Sequence, residues 1–238
     1  MNQEASESFR IAALLAVTGG FLESYSFLLH GHVFANAQTG NIALCGMALA
    51  MGNMVGAVKY ALPVMAFGLG VIAVDWIRGK WSSTSVFHWR QGIVLVEAIL
   101  LCGCFFLKGG AQDRLANLIV SVVCALQVQT FRKVHGTAYV STMCTGNLRS
   151  ASIAWSSWVR TGSHETRHQA VCYAGIIAMF MTGAAIAVSL IGRFQEWSIM
   201  IPIVTLFGVV VLMRKSQNGT LQDEYESRQG DTLGGDCD

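Results

Sequence analysis

Six stretches of this chain, 11–29, 57–77, 91–107, 114–131, 169–191 and 198–213, are apolar and close to the length a bilayer requires. A hydrocarbon core roughly 30 Å thick takes about 20 helical residues at 1.5 Å each. In lipid a spanning segment must satisfy its own backbone N–H and C=O groups, and apolar runs of this length do so as helices. The third and sixth runs are short, and the fourth carries Gln127 and Gln129. Composition agrees: 53% of the residues are hydrophobic and 13% charged, about half the charged share of a soluble domain. The chain is therefore expected to be an all-α integral membrane protein whose first partner is the lipid bilayer. Residues 1–10 contain Glu4 and Glu7, and no small-x-small cleavage site cleanly follows the apolar run from Ile11. That run reads as a retained span rather than a signal peptide.

Two further stretches, 33–52 and 139–159, are long enough to cross but polar in their first halves. They expose an internal repeat. Thr39-Gly40-Asn41 recurs as Thr145-Gly146-Asn147, an offset of 106 residues. The same shift carries 11–29, 57–77 and 91–107 onto apolar segments of the second half, and His30-Gly31 is echoed by His135-Gly136. The expected organisation is a short N-terminus (1–10), one membrane repeat over 11–107, a second over 114–213, and an acidic disordered tail over 217–238.

Lys and Arg set the orientation, because short cytoplasmic loops are enriched in both. With six crossings and a cytoplasmic N-terminus, eleven basic residues fall inside. Only Lys59, Lys108, Arg114 and Arg193 fall outside. If 33–52 and 139–159 also cross, then Arg78, Lys80, Arg90, Arg132 and Lys133 move outside and the bias nearly vanishes. The charges thus favour six full spans plus two re-entrant or partial helices, with both termini cytoplasmic. Three spans per repeat would invert the second copy relative to the first, a plan common among secondary transporters.

Polar groups inside spans cost roughly 2.5–3.5 kcal/mol and so point to function. Glu23 lies in the first span beside Ser24, Tyr25 and Ser26, and Glu97 lies near the middle of the third. Either carboxylate could couple to protons or bind a cation; either could instead be an acid that holds helices together. Asp75, between Val74 and Trp76 and near Arg78, reads as an interfacial anchor. In the Thr-Gly-Asn segments, Gly40 would permit close backbone approach, and a helix starting nearby would present free N–H groups and its positive dipole end. Asn36, Gln38, Thr39 and Asn41 add donors and acceptors in the first copy, as do Thr142, Thr145, Gly146 and Asn147 in the second. Gln127 and Gln129 add amides from the span before it. Two such helix starts could enclose a small polar or anionic solute. The competing reading is packing of two broken helices, with Asn and Thr satisfying freed backbone groups.

Other classes find less support. His164-Glu165-Thr166-Arg167-His168 matches HExxH, whose histidines can bind zinc, but no acid follows before Glu196. The motif also falls in a charged junction ahead of a span. No phosphate loop, dinucleotide fingerprint or nucleophilic triad is present, so no catalytic residue, metal or cofactor is expected. Six of the seven cysteines sit in apolar stretches and no CxxC occurs, which argues against a disulfide framework. Basic residues scattered over short loops, with an acidic tail, do not make a nucleic-acid surface.

GGFLESYSFL, VFANAQTGNIALCGMALA, Gln127 with Phe131-Arg132-Lys133, and the second Thr-Gly-Asn together resemble the YoaK-type bacterial membrane proteins, over nearly all of residues 11–213. The resemblance implies a multi-pass protein of the bacterial inner membrane. It supplies no substrate. Members of that family usually carry Asp at the position of Glu23 and Gln-Asn at Gln127-Val128. The leading expectation is a small secondary transporter or exporter with a polar site between its repeats, with a homodimer as its candidate assembly. The alternatives are a non-transporting structural or regulatory membrane protein and a membrane zinc hydrolase built on His164, Glu165 and His168.

Overall fold

The computed structural model describes residues 8–80, 89–134 and 137–215. The His135-Gly136 echo, the tail at 217–238 and most of the N-terminal segment lie outside them. The helices are α1 (Phe9–Leu29), α2 (Gln38–Ala50), α3 (Met54–Lys80), α4 (Trp89–Cys104), α5 (Ala111–Thr130), α6 (Cys144–Thr161) and α7 (His164–Phe194). A 3-10 turn, Gln195–Ile199, leads into α8 (200–215). A two-residue hairpin, Lys133–Val134 against Thr137–Ala138, links α5 to the loop before α6.

Helix ends follow from local chemistry. Ser8 caps α1 by accepting from the Arg10 N–H, and Asn53 accepts from the Gly56 N–H at the start of α3. α6 stops at Gly162, whose left-handed backbone closes a bond from its N–H to the Trp158 carbonyl, a standard helix stop. α2 and α6 begin at Gln38 and Cys144, inside the two polar stretches and at the edge of the Thr-Gly-Asn segments. The residues ahead of them, 31–37 and 139–143, are non-helical.

α1, α3 and the stretch His164–Lys215 are long and apolar enough to cross a membrane. α7 alone, at 31 residues, reaches about 46 Å and exceeds the hydrocarbon thickness. α4 has 16 residues, and α5 is diluted by Asp113, Arg114, Asn117, Gln127 and Gln129. α2, at 13 residues, is too short to span.

Packing runs between the two halves of the chain. α1 lies against α7 and α5 against α3, while α2 packs on α3 and α6 on α7. The α1–α7 crossing is backbone to backbone. A Cβ on Gly20 would collide with the Phe180 carbonyl, and one on Gly183 with the Val17 carbonyl. Small residues at such crossings allow the van der Waals contact that holds helices together in lipid. Around it, Phe21, Leu22, Tyr25, Leu101, Phe131 and Leu206 form the buried apolar centre, and Thr18 and Thr205 share a 2.8 Å hydrogen bond between α1 and α8.

Candidate functional site

The loop ahead of α2 is gripped by one face of α5. Asp113, Asn117, Ser121 and Cys124 recur at four- and three-residue spacing, which places them on one helical stripe. Asp113 Oδ1 lies 2.9 Å from His30 Nδ1. Asn117 donates to the His30 carbonyl at 2.8 Å and Ser121 to the Ala35 carbonyl at 2.9 Å. Cys124 Sγ donates to Asn36 Oδ1. From α1, Ser26 Oγ accepts from the Ala35 N–H.

Asn36 is the centre of this arrangement. It is fully buried. Its backbone N–H donates to Glu23 Oε2 at 2.8 Å, and its Nδ2 donates to the Gly19 carbonyl at 2.8 Å. The Ala37 N–H also serves the Glu23 carboxylate. Glu23 therefore occupies the place an external anion would take at the start of α2, where free N–H groups and the helix dipole favour negative charge. Glu23 is also close enough to Cys144, the first residue of α6, to act on it electrostatically.

Gln38 donates to the Ala35 carbonyl at 2.7 Å, and Asn41 donates to the Phe34 carbonyl at 2.7 Å. In the second half, Asn147 donates to the Val140 carbonyl at 2.6 Å and accepts from the Val140 N–H at 3.2 Å. Phe34 and Val140 are themselves 106 residues apart, so each asparagine donates to the equivalent carbonyl, although Asn41 also donates to Gln38 Oε1 at 3.2 Å and its own Oδ1 has no partner among the described residues. Gln127 bridges the halves through one Nε2, donating to the Leu15 carbonyl at 2.9 Å and to Ser141 Oγ at 2.8 Å. Thr142 packs beside Gly19, where an added Cβ would come 3.1 Å from Thr142 Cγ2. Gly19 thus touches both loops, one through Asn36 and the other through Thr142.

Several sequence-derived candidates fall elsewhere. Thr39 and Thr145 are exposed, as is Gly146, and Gly40 is half-buried. Nothing comes within 4 Å of a Cβ placed on Gly146, and only Phe34 comes near one on Gly40, at 3.8 Å. Among the described residues no other backbone comes close to Gly40, the glycine at which close approach was expected. The physical reason is the helical period: residues two apart point about 200° apart, so a buried asparagine turns its threonine outward. Gln129, the positional counterpart of Glu23, is half-buried. Asp75 is exposed beside Trp76, itself under the Lys80 ammonium, as an interfacial anchor would be.

Glu97 is fully buried in α4, and neither carboxylate oxygen has a hydrogen-bond partner among the described residues. Both Glu97 and Glu23 act electrostatically on Cys124. Thr142 Oγ1 and Gln127 Oε1 are likewise buried without a partner. His164 and Glu165 sit at the start of α7, and His168 contacts Cys172 at 3.5 Å. Among the described residues no group of three His, Cys, Asp or Glu side chains is gathered as a metal site. The α5 stripe, Ser26 and Gly19 were not candidates from the sequence, although the spacing of Asp113, Asn117, Ser121 and Cys124 is readable there.

A family described as "Protein of unknown function (DUF1275)" matches residues 11–212. The chain belongs to that family. The match covers Glu23, both loops and the α5 stripe, leaving out only the first two residues of α1 and the end of α8 among the helices. A relative in Bacillus subtilis (strain 168), named "UPF0700 transmembrane protein YoaK", is 25% identical over 218 residues, covering 88% of this chain and 95% of its own length. The resemblance read from the paired segments thus holds, and with the apolar helices it makes this a membrane protein. No solved structure matches.

Proposed function

We propose that the protein is a small secondary transporter or exporter of the bacterial inner membrane, with its site around Glu23 where the two loops meet α1. The observation that carries this reading is the Glu23 carboxylate accepting from the Asn36 N–H ahead of α2, one helical turn from Gly19, which touches both loops through Asn36 and Thr142. A carboxylate held there can exchange a proton or a cation against a solute bound by the same loops. The Thr142 hydroxyl, against Gly19 of the same helix as Glu23, and the Gln127 carbonyl, whose amide holds Ser141, are unpartnered among the described residues and supply contacts that the chain leaves unused. The reading includes six crossings with α2 and α6 as partial helices, both termini cytoplasmic, and two inverted repeats. The exchange of helices between halves supports the repeats: α1 on α7 mirrors α5 on α3, and α2 on α3 mirrors α6 on α7. It assigns no catalytic step to the chain, and it allows a homodimer.

A thermal-shift screen of anionic and polar solutes on purified protein tests it, because a ligand that binds only the folded state stabilises it. A hit should be transported by proteoliposomes in a pH-dependent manner, and Glu23→Gln should remove that dependence while the protein stays folded. A hit transported identically by the Glu23→Gln protein would refute the role of Glu23. A panel without a hit, together with proteoliposomes that move none of its members, would favour a structural or regulatory component.

A further inference from the structure

α6 carries a polar exposed stripe along its length, with an arginine away from the helix end. Thr145, Arg149, Ser152 and Ser156 are all exposed, and their four- and three-residue spacing places them on one stripe. Asn147 and Ala154, on the opposite side, are buried. α6 packs on α7, leaving the stripe uncovered. The middle stretches of the long helices expose apolar side chains, for example Met65, Leu69 and Ile72 on α3, and Val171, Met181 and Val188 on α7, while their exposed charges, such as Arg78 and Lys80 on α3 and Arg167 on α7, stand at the helix ends. The apolar stretches suit lipid. The α6 stripe does not, since an arginine facing hydrocarbon is costly.

Snorkelling does not resolve the cost. Trp155 and Trp158 pack edge to face at 4.9 Å, and the Arg167 guanidinium lies over Trp158. Tryptophans with neighbouring basic residues mark the membrane–water interface, and Arg160 falls in the same turn. Arg149 is eleven residues before Arg160, about 17 Å along the helix axis, beyond the reach of its own side chain. It lies five residues from Cys144, the end of α6 that follows Thr142, which packs beside Gly19 one turn from Glu23 on α1. Among the described residues its guanidinium has no ion pair. Immediately ahead of the stripe, Thr142 is 4% exposed and its hydroxyl has no partner. At the same positions of α2 stand Thr39, Ala43, Gly46 and Ala50, all exposed and carrying no charge.

We propose that this face of α6 lines a water-filled path to the Glu23 site and that Arg149 selects an anionic solute of the carboxylate or phosphate class there. The inference rests on the transporter reading and adds to it the charge of the cargo and the residue that recognises it. Guanidinium pairs with planar or tetrahedral oxyanions through two parallel hydrogen bonds, which suits transient capture.

The test uses full-length protein in native membrane vesicles of both orientations, with Cys45, Cys102, Cys144, Cys172 and Cys237 replaced by alanine. Into this background go Ser152→Cys, Ser156→Cys or, as the apolar-flank control, Leu148→Cys. Each is labelled with an anionic sulfonatoethyl and a cationic trimethylammonioethyl methanethiosulfonate, rates being normalised to a free thiol. Positions 152 and 156 should label from at least one side and 148 only slowly. The anionic reagent should be favoured by about tenfold, as one uncompensated charge in a partly aqueous cleft produces. Arg149→Gln should bring that ratio to about one, and Arg149→Lys should keep it. Should Arg149→Gln fail to accumulate, raising the ionic strength on the Ser152→Cys protein should collapse the ratio in the same way.

Protection from both sides, as lipid headgroups or a second copy covering the stripe would give, overturns the proposal. So does labelling without charge preference, or a preference that survives Arg149→Gln. Loss of the preference in a protein whose Glu23→Gln form still loses pH-dependent transport would sink this inference alone. A preserved preference alongside unchanged Glu23→Gln transport would sink the Glu23 reading alone.

Discussion

The two loops that precede α2 and α6 occupy matching places in the chain and are held in opposite ways. Loop 31–37 is bonded from two helices: Asn36, Ala35 and the nearby His30 carbonyl are held from α1 and from the α5 stripe, although His30 Nε2 and Asn117 Oδ1 have no partner among the described residues. Loop 139–143 is held by Asn147, by Gln127 through Ser141, and by Tyr173, which donates to the Ala138 carbonyl at 2.7 Å. Position 36 is an asparagine that satisfies its whole side chain, and position 142, its counterpart, is a threonine with an idle hydroxyl. The carboxylate at position 23 is matched by the neutral Gln129. A repeat that diverges this way assigns different tasks to equivalent places. One loop is scaffold, and the other keeps unspent hydrogen-bonding capacity beside it.

The largest expected effect lies in the first loop. Asn36→Ala removes two buried side-chain bonds and strands Cys124 beside its former acceptor. Leaving buried polar groups unpaired costs about 1–3 kcal/mol each, so a loss of about 2–3 kcal/mol is expected, read as a lowered midpoint in detergent unfolding. A loss under about 0.5 kcal/mol would mean that the grip of α5 on this loop contributes little.

Asn41 and Asn147 should behave alike, because each ties its helix start to the carbonyl seven residues back. Asn41→Ala and Asn147→Ala should each cost about 1–2 kcal/mol. A difference between them larger than that would show that the equivalence is one of sequence and not of energetics.

How much of this was legible beforehand differs by feature. Helix positions were, since apolar runs near bilayer length leave few alternatives, and the breaks before Gln38 and Cys144 fell in the polar halves of 33–52 and 139–159. The role shared by Asn41 and Asn147 follows from the offset of 106. Thr39 and Thr145 were grouped with those asparagines because they adjoin them in sequence, although the helical period turns them away. The grip of Asp113, Asn117, Ser121 and Cys124 on the first loop was not legible. Their stripe can be seen in the sequence, but what lies against it depends on a crossing between the halves that no local pattern encodes. Glu97 was recognised as a buried acid, but that it lacks any hydrogen-bond partner among the described residues is a property of the fold.

Glu23→Gln is the next and smaller perturbation of stability. The amide oxygen can still accept from the Asn36 N–H, so the loss should be about 1 kcal/mol or less. The functional effect should be large by contrast, because the amide cannot take up or release a proton. Transport in proteoliposomes should lose its dependence on pH while Asn36→Ala, measured on the fraction that remains folded, keeps it. The reverse assignment would move the coupling group away from α1, with Glu97 the next candidate.

Thr142→Val should change stability least, by no more than about 0.5 kcal/mol in either direction. The two side chains are nearly the same shape, and the methyl beside Gly19 that fixes the local packing is retained. The hydroxyl has no partner to lose, so its removal relieves a buried unpaired group at the cost of nothing inside the chain. If the second loop is the one that meets the solute, the same substitution should weaken the thermal stabilisation given by any ligand of the wild-type protein, by about 1 kcal/mol of binding for one lost hydrogen bond. Unchanged stability with weakened binding is the signature of a group kept free for a ligand. Unchanged stability with unchanged binding would make loop 139–143 a poorly packed copy of its partner, and the difference between the two halves would then record drift and not division of labour.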